Sequence, residues 1–259
     1  ESAFSTLFPL KSNLYLFLML LTFLGGFVAL LVVIKLLHHQ SFIQLTTSRD
    51  KIDWGRFFFG FSIIAFLTIT TTALDFYYNP ENYLIQFEWK SFSIMFLIAI
   101  VFIPLQTSFE EYFFRGYLMQ GIGIASRNKW IPLILTSFIF GSLHFFNPEV
   151  DKIGNIAMVY YIGTGFFLGI ITLMDEGMEL SLGFHAGTNF IIVLLVTSDW
   201  TVFQTNSILV DCSDPSKGIE VVLPVFILYP ILLGVMSWKY KWTDWKGKLF
   251  GKVLPFKKY

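Results

Sequence analysis

Residues 91–124 read SFSIMFLIAIVFIPLQTSFEEYFFRGYLMQGIGI. The part from 91 to 109 carries no charge and is long enough to cross about 30 Å of hydrocarbon as a helix. Glu110, Glu111 and Arg115 follow at once, and then comes a second apolar run, Gly116–Ala125. A charged side chain inside such a run costs at least about 2.5–3.5 kcal/mol on insertion scales. The stretch is therefore predicted to be one long membrane helix, from about 91 to 124, kinked at Pro104 and carrying three charges for a purpose.

Working outward, apolar runs of similar length occur near 14–34, 57–76, 130–147, 153–174, 180–198 and 219–238, which with the quoted stretch makes seven candidate spans. Composition agrees: 55% of the 259 residues are hydrophobic, only 14% are charged, and Phe alone contributes 31. That is more apolar surface than one water-soluble core can hide. The expected fold is all-α, a polytopic transmembrane helix bundle of about seven spans forming a single membrane domain over 1–259. Fixed-period repeats and low-complexity linkers are not evident, and Asp199–Lys217 is the longest polar loop. The first run is too long for the core of a signal peptide and lacks a small-residue cleavage site, so it is read as a helix. Glu1 stands where a start Met would, which leaves room for an earlier segment.

Lys and Arg total 18 and Asp and Glu 18, so the basic excess that binding to nucleic acid needs is missing. The single cysteine, Cys212, cannot make an intrachain disulfide and has no thiolate partner for a metal. With seven spans, one side collects Lys35, Arg49, Lys51, Arg56, Arg127, Lys129 and the tail lysines 239, 241, 246, 248, 252, 257 and 258, against Lys11, Lys90, Lys152 and Lys217 on the other. By the positive-inside rule the N-terminus lies outside and the C-terminus in the cytoplasm. The tail interleaves its lysines with Trp238, Trp242, Trp245, Phe250 and Phe256, which suits an interfacial segment meeting anionic membrane lipids.

Glu110, Glu111, Arg115, His144, His185 and Asn189 all lie in or against apolar runs. A hairpin turning near Arg127 puts Glu110 and His144 each about 17 residues from the turn, at one expected level roughly 21–25 Å along the helices. A turn near 175–177 puts His185 and Asn189 roughly 12–20 Å along the sixth span, and their i, i+4 spacing stacks them on one face. Glu111 and Arg115, also i, i+4, are expected to form a buried ion pair that serves structure. Glu110 points about 100° away from Glu111 and is the better candidate for chemistry. Gly163, Gly165 and Gly169 fit close helix approach. Gly116, Gly121 and Gly123 are expected to leave room for a substrate backbone beside the third span.

In order, Glu110, Glu111 and Arg115 (E-E-x-x-x-R), Phe140 and His144 (F-x-x-x-H), and His185 and Asn189 (H-x-x-x-N) resemble the three motifs of the CPBP family of intramembrane proteases, which includes the CAAX prenyl endopeptidases. The resemblance covers about 105–198, the expected protease core. It implies that Glu110 and His144 activate a water and that His185 and Asn189 form an oxyanion hole, while Glu111 and Arg115 are expected to support them by compensating charge. The chemistry is reasonable by itself, since peptide hydrolysis needs a base for water and donors for the tetrahedral oxyanion. The implied substrate is a membrane-associated protein or peptide, and the expected location is a bacterial plasma membrane.

Three other readings remain open on the sequence. Glu110, His144 and His185 could form a His₂Glu zinc site, although H-E-x-x-H spacing is missing and the favoured reading uses no cofactor. A proton-coupled transporter could use the same groups as a relay. A noncatalytic membrane immunity or binding protein could keep them as an interhelical polar network. The oligomeric state is not legible in the sequence.

Overall fold

The computed structural model describes residues 13–215 and 218–254. Lys11, Lys217, Phe256, Lys257 and Lys258, used above for orientation and the tail, lie outside the described residues. The fold is an all-α bundle with α1 Asn13–Leu37, α2 Phe42–Thr46, α3 Trp54–Tyr78, α4 Trp89–Glu111, α5 Met119–Ser126, α6 Trp130–Leu143, α7 Pro148–Ile153, α8 Ile156–Asp175, α9 Glu179–Leu195, α10 Tyr229–Tyr240 and α11 Trp245–Phe250. Among the described residues five stretches, Asn13–Leu37, Trp54–Tyr78, Trp89–Ser126, Ile156–Asp175 and Ile219–Tyr240, are long and apolar enough to cross a membrane, while Trp130–Leu143 and Glu179–Leu195 are shorter apolar helices. Seven apolar helices thus occupy the seven runs, five at spanning length.

Two helices end short of their expected runs. The fourth run was read to 147, but α6 ends at Leu143. Pro148 opens α7, and a proline disfavours helical backbone in the residue before it. The sixth run was read to 198, but α9 stops at Leu195, where Val196–Thr197 become β2. Strand β1, Tyr83–Ile85, runs antiparallel to β3, Leu209–Asp211, and β2 runs parallel to β3. Glu88, just before α4, accepts from the amides of Ser91 at 2.7 Å and Lys90 at 3.1 Å. It thereby supplies acceptors for the unpaired amides of a helix start, and the bonds from Ser91 hold its carboxyl below the usual carboxylate range.

The quoted stretch is indeed helical from Trp89 to Ser126, but its irregularity follows the charges. Tyr112–Leu118 are wound as a π-helix, and the Met119 amide donates to Phe114 O, five residues back. Such wide turns occur mostly as single insertions in α-helices and often at functional sites.

The chain packs as two compact units, the described parts of Glu1–Gln40, Gly55–Glu110 and Leu182–Asp214 in one, and of Ser41–Trp54, Glu111–Ser181 and Pro215–Tyr259 in the other. In the first unit Leu16 and Leu20 of α1 and Met95, Ala99 and Ile103 of α4 build the core with Val193 of α9. Continuing that α4 face by seven residues from Ile103 reaches Glu110. On α9, a Cβ at Gly187 would lie 2.8 Å from Phe61 O, and one at Gly183 would strike Phe57 O. These two glycines seat α9 on the backbone of α3. His185 and Asn189 are each two residues further on, about 200° around the helix.

In the second unit α6 packs on α8 through small residues. A Cβ on Gly165 would lie 2.8 Å from Ser137 O, one on Gly141 2.9 Å from Ile162 N, and one on Gly169 2.6 Å from Leu133 Cδ1, which is how backbones come close where no hydrophobic force drives helices together. Gly163 and Gly165 therefore act as expected, with Gly163 meeting Val225. A strap, Ser41–Trp54, is fastened in the same unit. Ser41 and Gln44 form a reciprocal cap for α2, the Thr46 hydroxyl lies 2.8 Å from the Tyr112 hydroxyl, and Phe42 stacks on the Tyr112 ring. Arg49 donates to Asp175 O at 2.6 Å, Asp175 Oδ2 at 3.0 Å and Glu179 Oε2 at 3.2 Å. In the tail, Trp242 Nε1 donates to Asp175 Oδ1 at 3.0 Å and Lys248 Nζ to Met174 O at 3.0 Å, so part of it docks on the end of α8, leaving Trp238 and Phe250 exposed.

Gly165→Val should overpack the contact between α6 and α8 and cost about 1–3 kcal/mol. Thermal unfolding of the purified variant in detergent checks this, and Gly121→Ala, at a position with nothing within 4 Å of a Cβ, should unfold like the parent.

Candidate active site

Adjacent residues on a helix point about 100° apart, and the two glutamates of α4 accordingly meet different partners. In the first unit Gln106, one helical turn before Glu110 and only 3% exposed, donates from Nε2 to Glu110 Oε1 at 2.6 Å. Asn189 Nδ2 of α9 donates to Gln106 Oε1 at 3.1 Å. His185 Nε2 lies 3.6 Å from Glu110 Oε2. That oxygen is buried and accepts no hydrogen bond among the described residues. Across 3.6 Å a nitrogen and a carboxylate oxygen are too far apart for a good direct bond, and near enough to bind the same water. The group therefore combines a basic oxygen, an imidazole beside it, and a carboxamide that has used one of its two N–H bonds.

In the second unit Arg115 Nη1 donates to Glu111 Oε1 at 3.0 Å, with the two side chains 1% and 0% exposed. Arg115 Nη2 donates to Gly165 O at 3.2 Å, and its guanidinium carbon lies 4.4 Å from the Phe140 ring centre. The ion pair expected of Glu111 and Arg115 is formed, and the glycine that admits α6 also offers its carbonyl to the arginine. His144 is the residue on which α6 ends, with φ −88° and ψ 0°. Its Nδ1 lies 2.8 Å from Phe140 O, and its ring stacks on Tyr161 at 4.4 Å. A carbonyl only accepts, so Nδ1 carries a proton. Among the described residues no group of three or more His, Cys, Asp or Glu side chains that could hold a metal ion is present.

The structure thus gathers Glu110, His185 and Asn189 in one unit, and Glu111, Arg115 and His144 belong to the other. Gln106 escaped the sequence reading, although its signal was there: an amide in an apolar run, one turn from a buried acid. Gly116 does not open a path, because a Cβ there would lie 3.2 Å from Leu45 Cγ and 3.4 Å from Met178 Cε. The strap and Met178, just before α9, cover it, whereas Gly121 has nothing within 4 Å.

Residues 89–191 match the family described as type II CAAX prenyl endopeptidase Rce1-like, and through that stretch the chain is similar to the Rce1-like family. An uncharacterized protein of Bacillus subtilis (strain 168), YyaK, is 31% identical over 173 residues, 66% of this chain and 58% of that protein. The chain therefore spans less than two thirds of the length of this curated relative. No solved structure matches it.

Arg115→Met should leave the Glu111 carboxylate buried without its cation and cost about 3–5 kcal/mol, whereas replacing both partners with apolar residues of similar volume should recover much of the loss. Thermal unfolding and yield of the two single variants and the double variant measure the difference.

Proposed function

We propose that the protein is an intramembrane endopeptidase that hydrolyses a peptide bond of a membrane-associated protein or peptide, with Glu110 as its base. The observation that carries this reading is the buried Glu110 Oε2, which accepts no hydrogen bond among the described residues and has His185 Nε2 at 3.6 Å. A carboxylate oxygen so placed can take a proton from a water held between it and the imidazole. The oxygen of that water bonds to the scissile carbonyl carbon, and the carbonyl oxygen becomes an oxyanion. The second N–H of Asn189 and the His185 ring are the donors for that charge. The C–N bond then breaks, and Glu110 returns its proton to the leaving amine. The family resemblance implies a further basic group for this reading, His144. The match of residues 89–191 to an endopeptidase family supports the reaction class.

The proposal uses no metal. It sets the C-terminal side in the cytoplasm of a bacterium, where the exposed Trp238 of α10 and its neighbours Lys239 and Lys241 meet anionic lipid. A transporter or a silent polar network would keep the same buried groups and cleave nothing, so cleavage separates the readings.

Membranes from cells expressing the parent or Glu110→Gln at equal levels should be compared by mass spectrometry of membrane-protein fragments. Fragments made by the parent should fall at least about 10²-fold in the variant, which keeps the shape of the side chain and loses the base. Identical fragment sets would overturn the proposal, and loss of the parent's activity on treatment with a chelator, restored by zinc, would overturn the metal-free form.

A further inference from the structure

We infer that Gln106 is a positioning residue for hydrolysis: its amide locks the Glu110 carboxylate and the Asn189 carboxamide into one proton-ordered chain. The inference rests on the proposed peptidase reading. An ionised carboxylate can only accept hydrogen bonds, so the side of Gln106 that faces Glu110 Oε1 at 2.6 Å must be its NH₂. Its carbonyl then faces Asn189, and only the NH₂ of Asn189 can meet it, at 3.1 Å. The charge on Glu110 thus settles the orientation of an amide on a different helix. Two consequences for the chemistry follow. Glu110 Oε1 is occupied, so Oε2, on the side of His185, is the oxygen left to take a proton from water. Asn189 is fixed with its NH₂ committed in direction, so its second N–H is presented as an oxyanion donor and cannot flip to present a carbonyl oxygen. Gln106 touches neither water nor substrate in this scheme and acts only through those two side chains. Its burial in the face that runs from Met95, Ala99 and Ile103 holds its own position.

The test uses the purified full chain and a quenched fluorescent peptide carrying the strongest cleavage junction found in the fragment comparison. Gln106→Met keeps the volume and removes both hydrogen bonds, and should lower kcat by about 10–100-fold with KM nearly unchanged. Gln106→Glu keeps the length but donates to Glu110 only when the introduced carboxyl is protonated. Its activity should therefore rise toward the parent's as pH falls, a dependence that a packing role does not produce. In an Asn189→Ala background, Gln106→Met should cost much less than in the parent, since residues that act as a unit are not additive. Parental kcat in folded Gln106→Met, or a parental pH profile for Gln106→Glu, overturns the inference while leaving Glu110 as base. Fragment sets unchanged by Glu110→Gln overturn both.

Discussion

A carboxylate buried in an apolar helix must find protons or a cation for the oxygens that water no longer reaches, because desolvating a charge costs several kcal/mol and an unmet oxygen adds to it. Helix α4 carries two such groups in succession and meets them in different ways. Glu111 receives the guanidinium of Arg115, itself held by a backbone carbonyl. Glu110 receives a neutral amide on one oxygen. The first carboxylate thus meets a cation and the second a neutral amide, each through one oxygen. The rest of the arrangement serves this unequal treatment.

Glycine is what makes it possible sterically. Gly183 and Gly187 let α9 lie on the backbone of α3, and the opposite side of the same two turns carries His185 and Asn189. In the second unit Gly165 lies against Ser137 of α6 and lends its carbonyl to Arg115. Removing a side chain at these positions both brings backbones together and frees polar backbone groups for charges, so packing and electrostatics are set by the same residues.

Much of this was legible from the order of residues. Charges in apolar runs advertise themselves by their cost, and i, i+4 spacing showed that His185 and Asn189 share a face and that Glu111 reaches Arg115. Gln106 was harder to see because an uncharged amide in an apolar run raises no such alarm. Arg49 passed as one more loop cation for the charge count, although it binds Asp175 and Glu179 together. Helix ends at Leu143 and Leu195 were overrun because the apolar character of the sequence continues past them. The winding of 112–118 left no mark in composition, since Tyr, Phe and Leu fit an α-turn and a π-turn equally well. Contacts made from elsewhere in the chain, Thr46 and Phe42 on Tyr112, meet that turn at its first residue.

A π-turn is an α-helix that has absorbed one residue more than its regular pitch holds. Everything after Leu118 is therefore turned by about 100° relative to a helix without the extra residue. Descent by insertion would leave relatives of two lengths here, one with a single gap between Glu111 and Met119 and the other without. In a relative of the shorter kind Gly121 and Gly123 would be carried to a different side of the helix, even though Glu110, Glu111 and the later His and Asn motifs aligned without a shift. A one-codon change here would turn the later part of the helix while leaving every letter of the three motifs in place.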